Sequence, residues 1–193
     1  MPPKARITRD MILDAAFDLV RAEGQEALNV RTLAKRLGCS TQPILYNFAA
    51  VEELKDAVYQ RADEFHTAYI LPKGGEGADA LLELGLNSVR FGHEEKHLFR
   101  FLFESDRFGG MDFKGLLRWP GSDELVAILA EALGCPAAEA EKLFMTFFAV
   151  AHGLGSLLCN NAMEYDETEC AAMLETVFNG ALAALTSKGE EYA

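Results

Sequence analysis

The sequence predicts an all-α protein. Apolar residues recur at helical spacing in segment after segment, and capping residues and glycines punctuate those segments at the appropriate ends. No stretch alternates apolar and polar residues like a strand over more than a few positions. About nine helices fit the chain, arranged as an N-terminal three-helix unit followed by a larger helical bundle.

Taken in order, Thr8 is placed to cap a first helix whose Ile12, Leu13, Ala16, Phe17 and Val20 form one apolar stripe, with Gly24 at its end. Asn29 is placed to cap a short second helix. Val30, Leu33, Ala34 and Leu37 face inward there and Arg31, Lys35 and Arg36 outward, and Gly38 stops it. Ser40 or Thr41 opens a third helix ending near Asn47, with Pro43 in the first turn, where a missing N–H is tolerated. A fourth runs from about Val51 to Ile70, before Pro72. Lys73-Gly-Gly-Glu-Gly reads as a linker. Beyond it, helices are expected at Ala78–Phe91, Glu94–Glu104, Asp123–Leu133 (capped by Ser122), Pro136–Asn160 and Asp166–Thr186. The last has the sharpest period, through Leu174, Val177, Phe178, Ala181, Leu182 and Leu185. Arg107–Gly121, glycine-rich with Trp119 and Pro120, is expected to be loop.

Composition narrows the functional classes. The chain has 193 residues, half hydrophobic and a quarter charged, enough for an ordinary core without disulfides. Cys39, Cys135, Cys159 and Cys170 stand far apart with no C-x-x-C, which argues against a zinc site and for a reducing cytoplasm. Met1–Asp10 has no apolar run of the secretory kind. Leu143–Met163 carries no charge and has the length of a membrane span. Its Thr146, His152, Ser156, Asn160 and Asn161 instead favour a buried helix, and no membrane partner is expected. The net charge of −12 is unevenly spread: residues 1–50 carry seven Lys/Arg against five acids, whereas residues 51–193 carry eleven against twenty-five. The N-terminal part is thus the one suited to a polyanion.

The motif that carries chemistry is Val30–Phe48, VRTLAKRLGCSTQPILYNF. Two short helices joined at a glycine, the first with a basic outer face, have the form of a helix-turn-helix. A helix entering a major groove about 12 Å wide must be short, polar on one side and free of acids. Ser40, Thr41, Gln42, Pro43, Tyr46 and Asn47 meet those conditions, and no acid stands between Lys35 and Glu52. Amides such as Gln42 and Asn47 pair with adenine edges, hydroxyls reach bases or phosphates, and Tyr46 reaches a phosphate oxygen. The bland alternatives are an ordinary helical hairpin, solvated basic residues and a Tyr46 packed on the first helix.

ITRDMILDAAFDLVRAEG, the helix-turn-helix, Phe48 and VEELKDAV together resemble the tetracycline-repressor (TetR) family of bacterial transcriptional regulators over about residues 7–60. HLFRFLFESD (97–106) and FAVAHGLGSLL (148–158) are more loosely similar to the ligand-binding and dimerisation half of some members. The resemblance implies a DNA-binding domain over residues 1–50 and an effector-binding and dimerisation domain over 51–193, connected by the helix at 51–70. It implies that Ser40, Thr41, Gln42 and Pro43 lie nearest bases, that Tyr46 meets the backbone, and that Arg31 and Thr32 sit beside phosphates. Lys4 and Arg6 would form an N-terminal arm. The chain departs from the family in two places: Leu45 stands where many members have an aromatic, and Val51 where many have a lysine, Lys55 following one turn later.

In the second half, most aromatics are expected in the core. Phe99, Phe103, Trp119, Phe147 and His152 are the candidates for lining a pocket for a small apolar effector. The last two helices present broader apolar faces than one subunit needs, and Phe148, Leu154, Leu158, Leu174, Phe178 and Leu182 are the candidates for a homodimer interface. His93 and His97, four apart, have no third ligand beyond Glu94 and Glu95, so no metal is expected. No catalytic residue set and no cofactor motif stands out, and an enzyme is not expected. The expected function is a cytoplasmic, dimeric repressor released from a palindromic double-stranded DNA operator by its effector. An activator of the same fold, or a protein-interaction module that has lost DNA, is the alternative.

Overall fold

The computed structural model describes residues 7–74, 77–105, 110–112, 115 and 122–190, and among these the chain is helical with no strand. Among the described residues nine α-helices run α1 (Arg9–Glu23), α2 (Val30–Arg36), α3 (Gln42–Asn47), α4 (Val51–Ile70), α5 (Gly77–Glu94), α6 (Lys96–Phe103), α7 (Ser122–Leu133), α8 (Ala137–Asn160) and α9 (Glu167–Glu190). Much of the loop expected at Arg107–Gly121 lies outside the described residues.

Local chemistry sets the helix ends. The Thr8 hydroxyl accepts from the Met11 N–H at 3.2 Å and opens α1, and the Asn29 side chain accepts from the Thr32 N–H at 3.0 Å and opens α2. Gly38 ends the turn after α2 at φ +63°, with nothing within 4 Å of where a Cβ would stand. It is needed there for its backbone conformation, not for space. The helical run is interrupted at Glu95, so His93 lies in the last turn of α5 and His97 in α6.

The chain divides into two compact units, Met1–Ala68 with Glu95–Ser105, and Tyr69–Glu94 with Asp106–Ala193. In the first, Ile12, Ala16, Leu19 and Val20 of α1 are buried, as are Leu33 of α2, Ile44 of α3, Leu54 and Val58 of α4, and Leu98, Phe99, Phe101 and Leu102 of α6. Phe65 meets Phe17 edge-on with ring centres 5.5 Å apart, and the Tyr59 hydroxyl donates to the Leu102 carbonyl at 3.3 Å. Arg21 forms a two-pronged ion pair with Glu95, its Nε donating to Oε2 at 2.8 Å.

The second unit is built on α8. By length and composition α8 passes for a membrane span, with a mean hydropathy of 1.5 over its most apolar window. Here Leu143, Phe144, Phe147, Ala151 and Leu158 are buried in a core shared with Leu81 and Val89 of α5, Leu129 of α7, and Leu174 and Phe178 of α9. Two glycines let α5 lie close to α8. A Cβ on Gly92 would stand 2.6 Å from the Gly155 carbonyl oxygen, and one on Gly85 would stand 2.5 Å from the Phe147 ring. The Arg90–Glu167 ion pair at 2.9 Å and the His93–Tyr165 stack, ring centres 4.8 Å apart, tie α5 to the start of α9 and the segment before it.

Candidate nucleic-acid interface

α3 is a single turn and a half, too short to persist alone, so its position comes from what it packs on. Ile44 and Phe48, four apart, are buried and define its inward side. At roughly 100° per residue, Gln42 and Tyr46 then point away from the core. Tyr46 is 82% exposed, so the packed-tyrosine alternative does not hold. Gln42 is exposed, and Pro43 and Thr41 are half-buried beside it. Thr41 opens α3 at the N-cap position, in a helical conformation and without a side-chain capping bond.

The far end of α3 is held by Arg9, from the start of α1. Its Nη1 donates to the Asn47 carbonyl at 2.7 Å and to Glu53 Oε1 at 3.0 Å, and its guanidinium carbon lies 4.0 Å from the centre of the Phe48 ring. Glu53 Oε2 accepts from the Ala49 N–H at 2.8 Å. That backbone N–H first, and Arg9 second, hold the Glu53 carboxyl below the usual carboxylate range. The effect on the surface is direct, because Glu53, one of the first acids after the acid-free stretch, is paired with a cation.

The other expected contact residues divide. Arg31, Lys35 and Arg36 are exposed on α2, Arg36 standing 3.8 Å from Glu23, and Ser40 is exposed in the turn. Thr32 is already engaged: both its N–H and its hydroxyl donate to Asn29 Oδ1, at 3.0 and 3.1 Å. Asn47 turns its amide back to the Pro43 carbonyl at 2.7 Å, closing α3 on itself. Lys55 is half-buried in the second turn of α4. Lys4 and Arg6 lie outside the described residues. Sequence reasoning missed Arg9, whose partners are 38 and 44 residues away, and treated Leu45 only as a departure, although it is 53% exposed beside Gln42.

The effector candidates do not fall in one unit. Phe99 and Phe103, ring centres 5.1 Å apart, belong to the unit that carries α3, and Phe103 also meets His66 edge-on. Phe147 and His152 belong to the other, His152 stacking on Phe148 with ring centres 5.7 Å apart; Trp119 is outside the described residues. Of the interface candidates, Leu158, Leu174 and Phe178 are buried within the chain's own core, and Phe148, Leu154 and Leu182 are partly buried against it. Other residues of α8 and α9 are exposed, among them Thr146, Ala149, Gly153 and Leu157 on α8, and Met173, Thr176 and Gly180 on α9. Among the described residues no group of three His, Cys, Asp or Glu is placed to hold a metal ion.

No family model matches the sequence. Over 86 residues it is 30% identical to the class D tetracycline repressor protein of Escherichia coli, and equally to the class H protein of Photobacterium damsela subsp. piscicida. The match takes in 45% of this chain and 39% of each relative, so the chain spans about two fifths of the length of the curated relatives it matches. The fold is similar to that of a TetR-family transcriptional regulator from Streptomyces coelicolor, with a TM-score of 0.71 and 19% identity over 99% of this chain and 86% of that one. It is also similar to a TetR-like transcriptional regulator from Rhodococcus sp. RHA1, with a TM-score of 0.64 and 17% identity over 95% and 98%. The chain has the all-α fold of the TetR-family transcriptional regulators.

Proposed function

We infer that this chain works as a TetR-family DNA-binding transcriptional regulator in the cytoplasm and not as an enzyme, a homodimeric repressor that a small apolar effector releases from a palindromic operator. The observation that carries the DNA-binding part is α3 itself. It is pinned at its inner side and far end, it turns Gln42 and Tyr46 outward, and it sits in a stretch without acids. Those are the conditions for a helix that enters a major groove between two rows of phosphate. Gln42 supplies base discrimination, while Tyr46, Arg31 and Lys35 supply contacts that position the helix without reading sequence.

Two exposed glycines support the dimer. Gly153 and Gly180 lie within α8 and α9, yet nothing stands within 4 Å of where their Cβ atoms would be. A glycine inside a helix costs about 1 kcal/mol relative to alanine, and the single chain gains no close packing in return. A second copy of α8 and α9 approaching across a two-fold axis gives both glycines a purpose and covers Leu157 and Met173. The pair of reading helices would then meet half-sites about 34 Å apart. An effector that prefers a state with another separation releases the operator. A hundredfold shift needs only about 2.7 kcal/mol of difference in its affinity for the two states.

The test is selection of bound duplexes from a random pool, with affinity followed across salt concentration. A palindromic consensus with a steep salt slope is expected. A folded dimer that enriches no sequence would refute the DNA-binding assignment and favour an interaction module.

A further inference from the structure

We propose that Leu45 reads the C5 methyl group of a thymine in each operator half-site, an inference that rests on the DNA-binding function above. Ile44 and Phe48 fill the space beneath α3, and Leu45 is left on its flank, next to the outward Gln42 and 53% exposed. The fold gains little from a leucine there, since more than half of it remains in water. A leucine also has nothing to offer a phosphate oxygen, because it carries no donor and no charge. Among the base edges of the major groove the thymine methyl is the one apolar feature, and an aliphatic side chain on a reading helix is its natural complement.

The spacing gives the address. Residues three apart on a helix face lie about 5–6 Å from each other, and base pairs rise about 3.4 Å along the axis. The thymine is therefore one or two base pairs from the base that Gln42 reads. Gln42 carries a carboxamide, which suits an adenine edge, so the half-site core holds neighbouring A·T pairs.

The experiment uses the full chain and the duplex selected as above. Each thymine of one half-site, then of both, is replaced singly by deoxyuridine, which removes the methyl and nothing else. Wild type and Leu45→Ala are compared on every duplex, with thermal melting of both proteins alongside. One position per half-site is expected at which uracil weakens wild-type binding about fourfold, and about fifteenfold when both half-sites are changed, as for one methyl group withdrawn from an apolar contact. Leu45→Ala is expected to melt like wild type and to bind the thymine and uracil duplexes equally. Tolerance of uracil at every position, a selected half-site without thymine, or undiminished uracil sensitivity in Leu45→Ala would each overturn the assignment. Failure of the wild type to bind any duplex selectively overturns the DNA-binding function itself, and is seen before any thymine is replaced.

Discussion

The guanidinium of Arg9 lies 4.0 Å from the centre of the Phe48 ring while the same side chain donates to the carbonyl of the neighbouring Asn47 at 2.7 Å. One residue at the start of α1 thus grips both the last buried aromatic of the reading segment and the last carbonyl of its helix. Because Arg9 is nearly half exposed, the contacts together stabilise the fold by only about 1–2 kcal/mol. Their larger effect is on where α3 ends.

Replacing Arg9 with alanine is expected to lower the melting temperature by only a few degrees, yet weaken operator binding tenfold or more. Arg9→Lys keeps the charge but loses the stacked, planar fork and should recover only part of the affinity. Equal affinity of wild type and Arg9→Ala at low temperature, where both are folded, would show that α3 holds its place without this residue.

Tyr46→Phe and Gln42→Ala should separate two kinds of contact. Both side chains are exposed, so neither change should move the melting temperature. Tyr46→Phe is expected to weaken binding to specific and unrelated duplexes by the same factor, whereas Gln42→Ala relaxes preference at one position, by about 1–3 kcal/mol. If both variants altered specificity alike, the separation into positioning and reading would fail.

Glycine substitutions should act with opposite sign in two places. Gly92→Ala drives a methyl group into the Gly155 backbone and is expected to destabilise by about 1–3 kcal/mol or more, seen as a fall in melting temperature. Gly153→Ala meets nothing in the single chain and should favour its helix by up to about 1 kcal/mol, while weakening dimerisation measured by sedimentation. A dimer as tight in Gly153→Ala as in wild type would remove α8 from the interface.

Acid should loosen the grip on α3. The Ala49 N–H and Arg9 hold the Glu53 carboxyl below its ordinary value, so its pKa in the fold is lower than in the unfolded chain. Such a group contributes stability that is present above the unfolded value and is lost as pH falls through the folded one. Wild type should therefore lose thermal stability more steeply than Glu53→Gln as pH falls from neutral through and below the usual carboxylate range, with melting followed across that whole span.

Helix ends were legible in the sequence because their causes are local. Thr8 and Asn29 reach only three residues ahead, and Gly24 and Gly38 take positive φ angles where the helices stop. The outward side of α3 was legible too, as the remainder of a short segment once Ile44 and Phe48 go inside. Contacts across the chain were not. Nothing around residue 9 announces that its side chain will end α3, and nothing in HLFRFLFESD tells that Leu98, Phe99 and Leu102 pack in the compact unit of α1. The local bonds of Asn47 and Thr32 were not legible either: the Asn47 amide donates to the Pro43 carbonyl and the Thr32 hydroxyl to the Asn29 side chain, bonds that the residue types alone do not announce.

The outward side chains of α3 bear almost none of the fold's weight. Gln42, Leu45 and Tyr46 stand on a platform set by Ile44, Phe48 and Arg9, so mutation can rewrite the first group while the second stays fixed. In a lineage of duplicated genes, operator preference could then drift at three positions without a compensating change in the core. A mutation at Phe48 or Arg9, by contrast, would spoil every preference at once. On the proposed function, the side chains that would read DNA and those that hold the fold are different residues of the same short segment.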